Sequence, residues 1–140
     1  MYTAFSHSHS SLRWLLLVLL VVAIINALMK KGKNEYTNKD RLLNLFTMIF
    51  FHIQILLGLV LYFISDKVGF GEGWMGDKSA RFFGMEHILI MLIAMALITI
   101  GHSKSKKGAT PALKNKSILI FYTITLVLVL AGIPWDFRGL

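Results

Sequence analysis

The chain has 140 residues, 56% of them hydrophobic, and its mean hydropathy is +0.66. This composition is too apolar for an ordinary water-soluble domain of the same length and favours an integral membrane protein. The chain has no cysteine, which excludes disulfides, thiolate metal sites and covalent attachment of haem. The net charge of +8 would suit a nucleic-acid partner, but the positions of the charges favour a different explanation.

Four apolar runs each approach the roughly 20 residues that a helix needs to cross the ~30 Å hydrocarbon core of a bilayer. They predict transmembrane helices at about residues 9–29, 39–64, 82–102 and 117–133, the first starting within Ser8–Ser11. The connections are short, so consecutive helices should be antiparallel neighbours. The sequence therefore predicts an all-α, four-helix transmembrane bundle that forms a single domain over residues 1–140.

Most basic residues lie in the first and third connections between these helices. They are Lys30, Lys31, Lys33, Lys39 and Arg41 in the first, and Lys104, Lys106, Lys107, Lys114 and Lys116 in the third. By the positive-inside rule these connections are cytoplasmic, so both termini face outward from a bacterial inner membrane. The basic residues then set the orientation of the chain in the membrane and contact membrane lipid. Nucleic acid is not an expected partner.

The first and third helices each carry one stripe at helical spacing that should face the bundle interior. The predicted stripe of the first helix is His9, Arg13, Leu16, Leu20, Ala23 and Ala27. That of the third is Gly84, His87, Met91, Ala94, Ile98 and Gly101. His102, at the end of the third helix, is predicted to be solvated.

The second and fourth helices differ in polarity. The second has a polar stripe of Asn44, Thr47, Gln54, Gly58 and Tyr62, which should face the bundle interior, with His52 roughly 80 to 100° from its middle. The fourth has a stripe of Ser117, Phe121, Thr125, Leu128 and Gly132 and is predicted to be a packing wall. Pro134-Trp135-Asp136-Phe137-Arg138 should end it and anchor the tail at the outer interface.

The chemistry of the bundle depends on His9, His52 and His87, which lie on three different helices, and on Arg13 near the outer mouth. Imidazoles on facing helices are common axial ligands of haem, and an arginine suits a haem propionate. Haem b is therefore the expected cofactor, with these three histidines as candidate iron ligands. The alternatives are that Arg13 extends to the lipid headgroups and that His52 is a neutral imidazole hydrogen-bonded to a neighbouring helix. No serine-nucleophile or zinc-hydrolase motif occurs.

Helix geometry leaves the ligand pair open. Counted from the middle of its run, His9 lies about 17 Å outward, His87 about 7 Å outward and His52 just inward. His87 belongs to both plausible pairs, with His52 inside the hydrocarbon or with His9 nearer the outer surface. A five-coordinate iron, or a quinone hydrogen-bonded by His87, Gln54 or Tyr62, fits the same residues.

Four segments carry a resemblance to a known family. They are His-Ser-Ser-Leu-Arg-Trp at 9–14, His-Ile-Gln-Ile-Leu-Leu-Gly-Leu-Val-Leu-Tyr at 52–62, Arg-Phe-Phe-Gly-Met-Glu-His at 81–87 and Ile-Pro-Trp-Asp-Phe-Arg-Gly at 133–139. Together they resemble small four-helix bacterial membrane proteins labelled cytochrome b-like. The resemblance implies four helices, with His9, His52 and His87 as haem ligands.

Three functions follow as hypotheses. The first is an electron-transfer protein that exchanges electrons between membrane quinol and a redox partner. The second is a cofactor-free accessory subunit of a larger membrane complex, such as a respiratory one, whose buried polar groups only hold helices together. The third is a proton-relay element that uses Glu86, His87 and His52.

Overall fold

The computed structural model describes residues 2–64, 71–77 and 81–133, which contain four long helices and no strand. The helices are α1 (Tyr2–Lys33), α2 (Asn38–Ile64), α3 (His87–Lys106) and α4 (Pro111–Gly132). A short 3₁₀ turn covers Trp74–Gly76, and a π-helical segment, Phe82–Glu86, leads directly into α3. The predicted all-α fold is confirmed. The tail predicted at 134–138 lies outside the described residues.

The four helices form an antiparallel bundle, and each is long and apolar enough to cross a membrane. Around the bundle they follow chain order, so α1 packs against α2 and α4, whereas α1 and α3 lie diagonally opposite each other. We call the end that holds residues 30–41 and 104–116 the lysine end. The opposite end, with His9, Gly58, His87 and Gly132, is the histidine end.

Helix α1 begins at Tyr2, earlier than the predicted start within Ser8–Ser11, so these serines lie inside the helix. The first turns contain no glycine or proline, and other residues cost a helix only up to about 0.7 kcal/mol each relative to alanine. With 32 residues, α1 is about 48 Å long and exceeds the hydrocarbon thickness.

The connection between α1 and α2 is fixed by its own backbone and side chains. Asn34 ends α1 in the left-handed conformation, with φ 52°, which asparagine tolerates better than most residues. Thr37 and Asp40 then cap α2 reciprocally: Thr37 N donates to Asp40 Oδ2 at 2.7 Å, and Asp40 N donates to Thr37 Oγ1 at 3.3 Å. Thr37, the residue before the helix, is therefore the cap of α2.

The same connection ties the lysine end together. The Tyr36 hydroxyl accepts from Asn44 Nδ2 on α2 at 3.1 Å and from Ser105 Oγ on α3 at 3.4 Å. Asn115 Nδ2, on α4, donates to the Glu35 carbonyl at 2.7 Å. One short connection therefore holds three helices in register through buried hydrogen bonds.

The interior stripes of α1 and α3 are largely as predicted, with Leu16, Leu20, Ala23 and Ala27 buried on α1 and Ala94, Ile98 and Gly101 on α3. The predicted stripe of α4 is wrong at most positions. Its buried residues are Asn115, Ile118, Tyr122, Thr125, Val129 and Gly132. The helix is therefore more than an apolar wall, because the Tyr122 hydroxyl donates to the Asn44 carbonyl at 2.7 Å across the bundle.

Candidate functional site

His87 is positioned by the π-helical segment that precedes it. In that segment the carbonyl of Gly84 accepts a hydrogen bond from the Tyr62 hydroxyl at 2.8 Å, which joins it to the end of α2. The Phe82 ring lies 5.5 Å from the His87 ring, with the planes tilted by 35°. Single π-helical turns within helices occur frequently at functional sites, because they redirect the side chains that follow.

The hydrogen bond of His87 determines which of its nitrogens is available. Nδ1 lies 2.7 Å from the carbonyl oxygen of Gly132, at the end of α4. A carbonyl can only accept, so Nδ1 carries the proton and a neutral ring has its lone pair on Nε2. A histidine held to a backbone carbonyl in this way is typical of metal and haem ligands.

His9 lies at the same end, against the backbone of α2. A Cβ added at Gly58 would be 3.2 Å from His9 Cε1, so the ring occupies space that only glycine leaves open. Gln54 Nε2 donates to the His9 carbonyl at 2.8 Å. Among the described residues, the buried atoms His9 Nδ1 and Gln54 Oε1 have no hydrogen-bond partner. Since buried polar atoms are normally paired, these two mark a place for a ligand or water.

Arg13 completes the cluster. His9 interacts electrostatically with both His87 and Arg13, and Arg13 also interacts with His87. The guanidinium of Arg13 lies 4.8 Å from the centre of the Trp14 ring. Because α1 and α3 are diagonal in the bundle, His9 and His87 reach this end from opposite helices. All four helices contribute to this site.

His52 is not part of this cluster. Its Nε2 is 2.9 Å from Thr99 Oγ1 on α3, and that hydroxyl donates to the carbonyl of Met95 at 2.7 Å. Since the threonine proton is already used, His52 Nε2 must be the donor in this contact. His52 therefore links α2 to α3 near the middle of its helix. His9 and His87 lie at the histidine end and interact electrostatically, whereas His52 is bonded to Thr99 deeper in the bundle.

Glu86 also has a partner elsewhere. Its Oε2 forms an ion pair with Arg81 Nε at 3.2 Å, in a partly exposed position. Arg81 in addition donates to the Met75 carbonyl at 3.3 Å. None of the described contacts joins Glu86, His87 and His52 into the chain of groups that a proton relay would need.

The donor set itself limits what can bind at the histidine end. The described residues contain no group of three or more His, Asp or Glu side chains that could hold a bare metal ion. Two imidazoles are, however, the protein ligands that a haem iron takes when the porphyrin supplies the rest. The unpaired Nδ1 of His9 and the oriented ring of His87 are donors of this kind, and Arg13 adds a positive charge that interacts with both.

Sequence reasoning missed two parts of this site: the Gly132 carbonyl as the acceptor for His87, and Gly58 as the residue against which the His9 ring packs. Both glycines stood on predicted interior stripes, and their position near the same end as the histidines was the available signal. Comparisons of the chain with protein-family models, curated proteins and solved structures found no match. The resemblance to cytochrome b-like proteins stays a prediction.

Proposed function

We propose that the protein is a small electron-transfer cytochrome of the bacterial inner membrane, with haem b held at the histidine end by His9 and His87. The observation that supports this most directly is the buried, unpaired Nδ1 of His9 beside a His87 ring whose tautomer is set by Gly132. A ligand that uses both imidazoles would satisfy them together.

Each residue has a defined role in this proposal. His9 and His87 would hold the haem iron, and Arg13 would compensate the charge of a propionate. The bound haem would supply one-electron chemistry, while the protein supplies ligands, a low dielectric and orientation. Tyr62 and Gln54 would position the ligands through their backbone contacts at Gly84 and His9.

The direct test is an optical spectrum of the full chain, expressed with an adequate haem supply and purified in detergent. A dithionite-reduced minus oxidised difference spectrum should contain the sharp alpha band of a b-type cytochrome. Pyridine haemochrome analysis should give about one haem per chain, one iron taking the two imidazoles. Protein that is folded and monodisperse but lacks the band would contradict the proposal.

Gly58→Ala is expected to lower haem content, because the added Cβ would be 3.2 Å from His9 Cε1 and force the imidazole to shift. The matched control is Gly32→Ala on α1, where a Cβ meets nothing within 4 Å. Neither change should weaken its helix, since alanine is about 1 kcal/mol more favourable than glycine in a helix interior. Equal haem per folded chain in the two variants would rule out a ligand role for His9 in this conformation.

A cofactor-free accessory subunit is the second candidate. It is favoured by the hydrogen bonds from His52 to Thr99 and from His87 to Gly132, because each satisfies one nitrogen and links two helices. Interhelical bonds of this kind contribute about 0.6 to 2 kcal/mol in membranes. In that case the alpha band is absent, and replacing His52 or His87 changes only the stability of the bundle.

A further inference from the structure

His102 lies in a different environment from the solvated one predicted for it. It is 5% exposed, and its Nδ1 is buried without a hydrogen-bond partner among the described residues. The prediction fails because α3 continues to Lys106, a full turn beyond His102. A buried imidazole at the lysine end therefore has one ring nitrogen that no described protein atom satisfies.

Two basic side chains accompany this histidine. Lys106 follows it by one helical turn, which places both residues on the same face of α3. Arg41 belongs to the first turns of α2, and both cations interact electrostatically with His102. The guanidinium of Arg41 donates to Asn38 Oδ1 at 3.1 and 2.9 Å, a neutral acceptor that leaves its charge uncompensated.

The acidic residues of the lysine end are engaged elsewhere. Glu35 and Asp40 lie 3.5 and 3.6 Å from Lys30 Nζ, and Asp40 also accepts from Asn26 at 3.0 Å. Within the described part of the chain, no carboxylate is within ion-pair distance of Arg41 or Lys106. The surface at His102 therefore carries two positive charges that no described anion of the protein neutralises.

Arg41 on α2 lies across from His102 and Lys106 on α3 at the lysine end. Tyr36 bonds to Asn44 on α2 and to Ser105 on α3, which sets those two turns at the same level. Arg41 and His102 each lie one turn or less from these positions. Helices α2 and α3 also pack less closely than the other neighbouring pairs, so the seam between them is the most open of the four.

We propose that this seam, formed by Arg41, His102 and Lys106, binds the phosphate group of an anionic phospholipid. The lysine end faces the cytoplasmic leaflet by the positive-inside rule, and basic pockets between helices on that side bind anionic headgroups. Arg41 and Lys106 supply charge, and His102 Nδ1 donates to a phosphate oxygen while the acyl chains lie along the apolar seam. This site is separate from the histidine end and does not depend on haem.

The test measures lipid-dependent stabilisation of the full-length protein in neutral detergent. Phosphatidylglycerol should raise the unfolding temperature more than phosphatidylcholine at the same mole fraction. Inorganic phosphate at millimolar concentration should have no comparable effect. If phosphate alone reproduces the stabilisation, the seam is a site for free phosphate, and the lipid assignment is overturned.

Variants locate the effect. Arg41→Gln combined with Lys106→Gln should weaken phosphatidylglycerol binding by about tenfold or more, because each basic residue near an anionic surface contributes about 1 kcal/mol. The matched control is Lys33→Gln with Lys116→Gln, which removes the same charge from exposed positions on α1 and α4. Native mass spectrometry counts the lipids retained by each variant.

A second variant tests the donor independently of net charge. His102→Leu keeps an apolar volume at a buried position and removes Nδ1, and it should reduce phosphatidylglycerol retention while phosphatidylcholine retention stays constant. If the Arg41/Lys106 double variant and the Lys33/Lys116 control lose the same amount of bound phosphatidylglycerol, the effect is one of general charge and the proposal is overturned. Full retention in His102→Leu would exclude the histidine from the site.

Discussion

His87→Asn is expected to abolish the alpha band of the reduced protein while the bundle stays folded. The amide nitrogen of asparagine can take the place of Nδ1 and donate to the Gly132 carbonyl, which His87 reaches at 2.7 Å. Asparagine has no counterpart of Nε2, so the iron would lose that ligand. Haem content per folded chain, measured by pyridine haemochrome, and the unfolding temperature together separate ligand loss from unfolding.

Two further variants complete this experiment. His9→Leu should also remove or strongly weaken the band, since His9 is the partner that the structure places near His87. His52→Gln is the control, because the glutamine amide can replace Nε2 and keep the bond to Thr99. If His52→Gln loses haem and His9→Leu keeps it, the assignment of the ligand pair is wrong, and the iron lies deeper in the bundle.

The interior of α1 and α3 could be predicted because their sequences place small and large apolar residues at strict helical spacing. Ala23 and Ala27 on α1, and Ala94 and Gly101 on α3, are buried as expected. Small residues allow close approach of helices in a membrane, where polarity gives little information about facing. The spacing of these small residues therefore indicated the interior face of each helix, which hydropathy alone does not.

Helix α4 was harder to orient for the same reason. It is apolar nearly all round, so Ser117 and Phe121 on one face looked as suitable for the interior as Asn115 and Tyr122 on the next. The side of α4 that points into the bundle is decided by partners distant in sequence, such as the Glu35 carbonyl that accepts from Asn115. Such acceptors are backbone carbonyls, which every residue has, so the residue types do not show which carbonyl will accept the bond.

The sequence named His87 as the common ligand but left the choice between His9 and His52 as its partner open. Depth counted from the middle of each apolar run set His9 and His87 about 10 Å apart along the membrane normal. The π-helical segment at Phe82–Glu86 and the early start of α1 were not part of that count, and neither has a clear signature in residue type. The candidate residues could be selected from the sequence, but their grouping required the packed helices.

Gly101→Leu is expected to disrupt the bundle strongly, because Gly101 lies directly against Phe121 on α4. A Cβ at Gly101 would overlap the Cβ of Phe121, an atom that is fixed to the α4 backbone and cannot rotate away. The helices must therefore separate, and overpacking of this kind costs about 1–3 kcal/mol or more. A bulky side chain would also open the neighbouring contact at Ile98, which is fully buried.

The measurement is thermal unfolding in detergent, compared with Gly101→Ala and with a control at Gly32, which has open space around it. Gly32→Leu should leave the unfolding temperature nearly unchanged, whereas Gly101→Ala should lower it and Gly101→Leu should lower it further. Gly132→Ala should have an intermediate effect, because its nearest neighbour at 2.8 Å is the flexible Met91 Cε. An unchanged unfolding temperature in Gly101→Leu would mean that α3 and α4 do not pack through this glycine. The antiparallel arrangement of those two helices would then need a different contact to support it.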